Sequence, residues 1–214
     1  ANADPMIAGV VGWLDIDSPS AIDHLDAYLN LIGAEYLVGI RDISQGHADP
    51  QYLARPNVLK NVKTLGGKGL TYDLLARTRE LPSAIELVKS APDVQFVMDH
   101  ISKPFIAEGE IEPWKTLMTT LATFPNVVCK VSGMVTEADW ANWKTEDFRP
   151  YVDLLIEEFG AQRLLFGSDW PVCTLAGSYL QVVELAKSVT SSFSKSESED
   201  FWGGTAHRIY GLAN

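Results

Sequence analysis

Titratable side chains follow apolar runs at several points in the sequence, and their types suit acid–base chemistry. Asp169 ends the run RLLFGSD, His100 ends VQFVMDH, and Arg41 closes the apolar part of YLVGIRD. A carboxylate tuned by burial can act as a general base, and a neutral imidazole can polarise a carbonyl or ligate a metal. A guanidinium can hold a carboxylate with two parallel hydrogen bonds. Asp169 could instead cap a helix beginning near Pro171.

The elements that must position these residues are short strands alternating with helices. Apolar runs without strict alternation predict six strands covered on both faces, in IAGVVGWLD, YLVGIRD, GLTYDLL, VQFVMDH, VVCKVSG and RLLFGSD. Apolar residues spaced three and four apart predict helices in PSAIDHLDAYLNLI, LPSAIELVKSA, PWKTLMTTLATF, RPYVDLLIEEFG and SYLQVVELAKSV. This order predicts βαβ units, and hence a parallel sheet with helices outside it.

Titratable residues at the carboxyl ends of the strands favour a (β/α)₈ barrel over a doubly wound sheet, since no glycine-rich phosphate loop follows an early strand. A complete barrel takes about 250 residues, whereas this chain has 214 residues and six predicted strands. We therefore expect residues 1–214 to form one barrel domain that lacks its first two βα units. The segment SESEDFWGGTAHRIYGL predicts a closing helix, with Ser196 and Glu199 as its capping box.

The composition of the chain argues against some classes of binding partner. The net charge is −11, and the sequence has no stripe of basic residues. These two properties argue against nucleic acid and anionic membrane as partners, so a small molecule is the partner that we expect. Cys129 and Cys173 are the only cysteines, and both lie in apolar runs, which is typical of a reduced protein of the cytoplasm. No stretch has the roughly twenty apolar residues of a membrane span.

Seven blocks in order resemble a known family: AGVVGWLD, VGIRDISQ, GLTYDLL, FVMDHISKP, VVCKVSGMVTEADW, LLFGSDWPVC and GGTAHRIYGL. They are similar to the lactonase-like branch of the amidohydrolase superfamily, which includes sugar-lactone and pyrone-dicarboxylate lactonases. The resemblance implies a (β/α)₈ barrel that hydrolyses a cyclic ester. It also implies a His-x-His pair on the first strand. The sequence contains no such pair, and its first predicted strand resembles the third of the family.

The resemblance assigns roles to two of the strand-end residues. Asp169 resembles the last-strand aspartate that takes a proton from the attacking water, and His100 resembles the histidine that polarises the substrate carbonyl. Both residues also match positions that ligate a metal. The resemblance therefore implies one divalent metal ion, zinc or manganese, on Asp169 and His100, with metal-independent catalysis left open.

Arg41 is predicted to anchor the substrate. Close relatives commonly have histidine directly after this arginine, whereas Asp42 follows it here, which leaves the identity of the substrate open. His47 in the loop SQGHADP could substitute for that histidine, although a plain loop role is the simpler expectation.

Four further residues are predicted to bind the substrate. Lys103 could offset the charge of the oxyanion or pair with Asp99. Asp73 is expected either in the barrel mouth or in a polar layer inside the barrel. Trp13 and Trp170 supply apolar planes that stack on sugar or pyrone rings.

Two alternatives to a lactonase remain at this stage. One is a decarboxylase-type lyase of the same superfamily. The other is a catalytically inactive barrel remnant with a binding role. Because two absent strands would leave open sheet edges, we expect association with a missing N-terminal segment or a homo-oligomer.

Overall fold

The computed structural model describes residues 6–212 and contains one parallel sheet within them. Its six strands lie in sequence order, and each neighbouring pair is parallel. The strands are β1 (Val10–Trp13), β2 (Leu37–Ile43), β3 (Thr71–Leu75), β4 (Phe96–Met98), β5 (Val127–Val131) and β6 (Leu164–Phe166). Five of them fall inside a predicted apolar run and β2 extends one residue beyond its run, so the prediction of a parallel α/β sheet is confirmed.

Eight α-helices connect and follow the strands in the described residues. They are α1 (Ala21–Leu29), α2 (Pro56–Gly67), α3 (Leu81–Ser90), α4 (Trp114–Ala122), α5 (Thr145–Phe159), α6 (Tyr179–Val189), α7 (Lys195–Glu199) and α8 (Thr205–Tyr210). Helix α2 is not among the predicted helices. Its signals were Pro56 in the first turn and the buried Val58, Val62 and Leu65, which recur three and four residues apart.

One face of the sheet carries charged side chains, and the other carries mainly apolar ones. Residues paired across neighbouring parallel strands point to the same face. Arg41 pairs with Asp73, and Asp73 pairs with Val97, so these three side chains share the inner face. The opposite face carries Tyr72, Phe96 and other apolar residues that pack in the main core against the helices. Burial on both faces explains why the strands read as apolar runs.

The C-terminal segment closes the inner face from one side. Ala206, Ile209 and Tyr210 of α8 pack against a small cluster formed by Val97, Val128 and Leu165. A π-helical turn (Asp200–Gly204) joins α7 to α8, so the predicted closing helix is confirmed with one irregular turn.

The capping box predicted at Ser196 and Glu199 is wrong. Ser194 caps α7, because its Oγ accepts from the backbone N–H of Glu197 and its own N–H donates to the Glu197 carboxylate. The helix begins two residues earlier than the predicted box required.

Strands β1 and β6 are the outer strands of the described sheet. Eight strands are needed for a closed barrel of this type. No helix between residues 6 and 212 is both long and apolar enough to cross a membrane.

Candidate active site

His100 is presented by an unusual turn directly after β4. Four consecutive residues, His100 to Lys103, have φ angles of 53, 46, 57 and 47°. These angles lie in the left-handed region, which costs a residue with a side chain roughly 1–2 kcal/mol. Such a run persists only where its surroundings hold it, and it is typical of functional sites.

Three side chains hold this turn in place. Trp114 donates its indole N–H to the carbonyl of Ile101 at 2.6 Å, and the Ser102 hydroxyl donates to the carbonyl of Ala76 at 3.2 Å. Lys103 forms an ion pair with Glu137 at 2.7 Å. Trp114 and Ser102 are buried, so breaking their bonds would leave buried polar groups unpaired.

His100 meets Asp169 across the sheet, and we call these two residues the rim pair. The Nε2 atom of His100 lies 3.5 Å from Oδ1 of Asp169, and the side chains are only 11% and 10% exposed. Burial lowers the pKa of His100, although the charges of Asp99 and Asp169 oppose that effect. The imidazole is therefore neutral near pH 7. The structure thus brings together the predicted base and the predicted electrophile.

One atom of the rim pair has no internal partner. Oδ2 of Asp169 is buried and accepts no hydrogen bond from any described residue. Buried carboxylate oxygens nearly always have a partner, so this atom could accept a hydrogen bond from a bound molecule. A water molecule or a metal ion would satisfy it.

A second set of polar residues lies on the inner face beneath the rim pair, and we call Arg41, Asp73, Asp99, Lys130 and Tyr210 the charged layer. Lys130 bridges both carboxylates, at 2.6 Å from Asp73 and 2.8 Å from Asp99. Arg41 also contacts Asp99 at 2.8 Å, and the Tyr210 hydroxyl donates to Asp73 at 2.7 Å. Both carboxylates are fully buried.

The charges of this layer determine one another's protonation. Burial raises the pKa of Asp73, with Lys130 opposing that rise. For Asp99 burial also acts upward, but the charge of Lys130 and the hydrogen bonds from Lys130 and Arg41 outweigh it and lower the pKa. Burial would lower the pKa of Lys130, yet Asp73 and Asp99 raise it above its usual value. Lys130 therefore stays charged at every physiological pH.

Asp42 lies outside the charged layer and accepts hydrogen bonds from two other segments of the chain. Its Oδ1 accepts from the indole N–H of Trp13 at 3.1 Å, and its Oδ2 accepts from the hydroxyl of Tyr52 at 2.5 Å and the backbone N–H of Ile16 at 3.1 Å. The residue that departs from the family pattern is thus a buried anchor. It orients Trp13, whose side chain is 57% exposed.

The structure shows the partners of Lys103 and Asp73, for which the sequence allowed two alternatives each. Lys103 pairs with Glu137, and Asp99 pairs with Arg41 and Lys130, so the alternative of a Lys103–Asp99 pair is wrong. Asp73 lies in the polar layer inside the sheet, one of its two expected places.

Trp170 is open to solvent beside Asp169. It follows Asp169 directly and is 66% exposed. His47, in contrast, remains in its loop, where its ring bonds the backbone of Asp49 and stacks on Tyr52. His24 and His207 are exposed on α1 and α8.

The donor set for a metal is partial in the described residues. His100 Nε2 and Asp169 Oδ2 are suitable donors, and the unsatisfied Oδ2 fits a cation. Residues 6–212 contain no group of three or more His, Cys, Asp or Glu side chains arranged to hold a metal ion. The rim pair therefore fits two positions of a divalent metal site, the rest of which would need donors from elsewhere.

Ser132 and Glu137 are contacts that the sequence reasoning missed. Ser132 follows β5 in KVSG, and its Oγ lies 2.8 Å from Nδ1 of His100. Its signals were its place near the end of the predicted run VVCKVSG and inside a block of the family resemblance. Glu137 lies in a short 3₁₀ turn (Val135–Glu137), and its signal was its place in the block VVCKVSGMVTEADW of the family resemblance.

A parallel sheet with titratable residues at the carboxyl ends of its strands is the arrangement in which (β/α)₈ barrels build their active sites. A family model described as amidohydrolase matches residues 1–212. The chain belongs to this amidohydrolase family, which confirms the family resemblance.

Relatives and solved structures agree with this assignment. The L-fucono-1,5-lactonase of Burkholderia multivorans is 36% identical over 96% of this chain and 72% of its own length. The L-rhamnono-gamma-lactonase of Scheffersomyces stipitis is 26% identical over 59% of this chain and 43% of its own. A crystal structure of a Burkholderia multivorans amidohydrolase with bound zinc superposes with a TM-score of 0.87 at 36% identity, covering 96% of this chain and 74% of that one.

Proposed function

We propose that this chain carries the active site of a hydrolase that opens a sugar lactone. The observation that carries the proposal is the rim pair, a neutral imidazole beside a buried carboxylate with one unsatisfied oxygen. The names of the lactonase relatives supply the substrate class. A six-membered lactone such as L-fucono-1,5-lactone is the first candidate.

In the proposed reaction Asp169 accepts a proton from a water molecule as the water oxygen bonds to the lactone carbonyl carbon. His100, through Nε2, polarises the carbonyl oxygen. The ring C–O bond then breaks, and the leaving alkoxide takes up a proton. One water is added, and the product is a hydroxy acid that ionises at neutral pH and releases a proton.

A divalent metal, when bound, would be held by Asp169 and His100 and would supply Lewis-acid polarisation and a more acidic water. The zinc in the similar amidohydrolase structure supports this role. Zinc or manganese remains our proposal, and metal-independent catalysis is the alternative. We further propose that two more βα units, carrying the His-x-His pair of the resemblance, complete the barrel and the ligand set.

Arg41 is the proposed substrate anchor. Asp99 holds one nitrogen of its guanidinium, while the side chain is 42% exposed. The free nitrogens can therefore donate to lactone oxygens. Trp13 and Trp170 are the proposed stacking surfaces, and Lys103 and Asp73 are predicted to contribute through their ion pairs at the edge and floor of the site.

Neither alternative function is favoured. The 2,6-dihydroxybenzoate decarboxylases share 15% identity with this chain, a likeness that concerns the fold alone. A histidine beside a carboxylate with one unsatisfied buried oxygen favours a catalytic site over an inactive remnant. A cytoplasmic location, a homo-oligomer and association with an N-terminal segment stay predictions.

The test is ring opening of a panel of sugar lactones and a pyrone dicarboxylate, followed by proton release. The protein is treated with chelator, then supplied with zinc or manganese. Proton release that is lost in Asp169→Asn supports the proposal. Release of carbon dioxide without addition of water would favour a lyase, and no reaction by folded protein would contradict both.

A further inference from the structure

Ser132 forms a hydrogen bond with Nδ1 of His100, the ring nitrogen that faces away from Asp169. The distance between Ser132 Oγ and His100 Nδ1 is 2.8 Å, which is a good hydrogen bond. Nε2 points the other way, towards Asp169. A ring held at Nδ1 can work only through Nε2, so the contact with Ser132 determines which nitrogen meets the substrate.

Two glycines make this contact sterically feasible. A Cβ at Gly133 would lie 2.7 to 2.9 Å from atoms of the His100 side chain, and a Cβ at Gly167 would lie 2.9 Å from Cβ of Ser132. Both distances are shorter than real Cβ contacts. Gly133 also has a φ of +61°, which favours glycine. The imidazole and the serine therefore fill a closely fitted space with little freedom to rotate.

We propose that Ser132 is a positioning residue for the reaction, and this inference rests on the proposed lactone hydrolysis. Its hydroxyl fixes the rotation of the His100 ring and bonds Nδ1 in either tautomer. It donates when Nε2 carries the proton and accepts when Nε2 uses its lone pair. Ser132 itself does not touch the reacting atoms.

A hydroxyl that only stabilised the fold would behave differently. Ser83 is an equally buried serine within α3, and its hydroxyl donates to the carbonyls of Pro50 and Glu80. It has no contact with the rim pair. Ser83→Ala is therefore a matched control that removes the same group from a different place.

The experiment compares Ser132→Ala with Ser83→Ala in the full chain. Positioning partners of this kind change activity by about 10- to 100-fold, so we expect Ser132→Ala to lower kcat by that amount. We expect KM to change by less than about threefold, because substrate anchoring is untouched. The imidazole ¹⁵N resonances of His100, assigned by their loss in His100→Asn, should move in Ser132→Ala and stay in place in Ser83→Ala.

A kcat within about twofold of the unaltered protein would overturn the inference. So would unchanged His100 resonances, even if kcat fell. If the unaltered protein opens no lactone, the proposed function fails. The ¹⁵N comparison then decides by itself whether Ser132 orients the ring.

Discussion

The charged layer and the rim pair lie next to each other but satisfy their polar groups to different degrees. In the charged layer Asp73 and Asp99 each contact two partners at 2.8 Å or less. In the rim pair the closest approach is 3.5 Å, and one oxygen of Asp169 has no partner among the described residues. Both carboxylates of the charged layer have counter-charges among the described residues, whereas Oδ2 of Asp169 has no partner there.

From this difference we predict that the charged layer serves the fold and that the rim pair serves the reaction. A buried ion pair with every group bonded is costly to break, because a lone buried charge remains. An unsatisfied carboxylate costs stability in the folded state, which is acceptable where the group must accept a proton. We therefore expect changes in the two regions to act on different measured quantities.

The largest effect on activity is expected for Asp169→Asn. The amide cannot accept the proton of water, so kcat/KM should fall by about 10²- to 10⁴-fold. The free energy of unfolding should be nearly the same as that of the unaltered protein, because Oδ2 has no hydrogen bond to lose. The control is Asp153→Asn on the exposed side of α5, which should leave lactone opening unchanged. Near-normal turnover in Asp169→Asn would remove its assigned role.

The largest effect on stability is expected for Lys130→Met. Asp73 and Asp99 would then be buried without their shared counter-charge, and the free energy of unfolding should fall by about 3–5 kcal/mol at pH 7. Losing Lys130 raises the pKa of both carboxyls in the folded state above that of the unfolded chain. The deficit should therefore shrink as the pH falls and both protonate.

Urea unfolding at pH 7 and pH 5 measures this pH dependence. Lys187→Met is the control, because Lys187 forms an exposed pair with Glu184. Its effect should stay within about 0.5 kcal/mol. Equal stability of Lys130→Met at the two pH values would show that the charged layer does not depend on Lys130.

A smaller effect is expected for Trp114→Phe, which tests the turn between the two regions. The carbonyl of Ile101 loses its buried donor, which should lower the free energy of unfolding by about 1–3 kcal/mol. Turnover should also fall, since the turn presents His100. In the control, Trp140→Phe, the lost donor also bonds a carbonyl, that of Thr136, but its side chain is 53% exposed. If both changes cost the same, burial of the turn is not what stabilises it.

The smallest effect is expected for Trp170→Ala at the open edge of the site. An aromatic stacking contact contributes about 0.5–1.5 kcal/mol, so KM should rise up to roughly tenfold with kcat little changed. Stability should stay nearly constant, because the indole is mostly exposed. Steady-state kinetics on the preferred lactone provide the measurement. An unchanged KM would remove Trp170 from the substrate surface.

Much of the fold could be predicted because its causes are local. The six strands are apolar runs, and five of the helices have an apolar spacing that marks them. Helix α2 was missed because its apolar residues are diluted by lysine, asparagine and glycine. The capping box was misplaced by two residues because several serines and glutamates nearby fit the same pattern.

The site could be predicted in part. Asp169, His100 and Arg41 stand at strand ends, where parallel strands bring their side chains to one edge. The partner of Lys103 could not be chosen between the alternatives, because Glu137 comes from a distant turn. The burial of Asp42 under Trp13 and Tyr52 was likewise invisible, since three separate segments meet there.

The sequence by itself determined the order of the elements, the apolar faces that force them into a parallel sheet, and the titratable residues at one edge. Those properties follow from residue type and spacing along the chain. Only the tertiary structure decided which charges are neutralised and which are not. Hydrogen bonds and ion pairs depend on distances of a few ångströms between residues far apart in sequence. For this reason Lys130 became a bridge, Ser132 a partner of His100, and Asp169 a carboxylate with one oxygen that no described residue contacts.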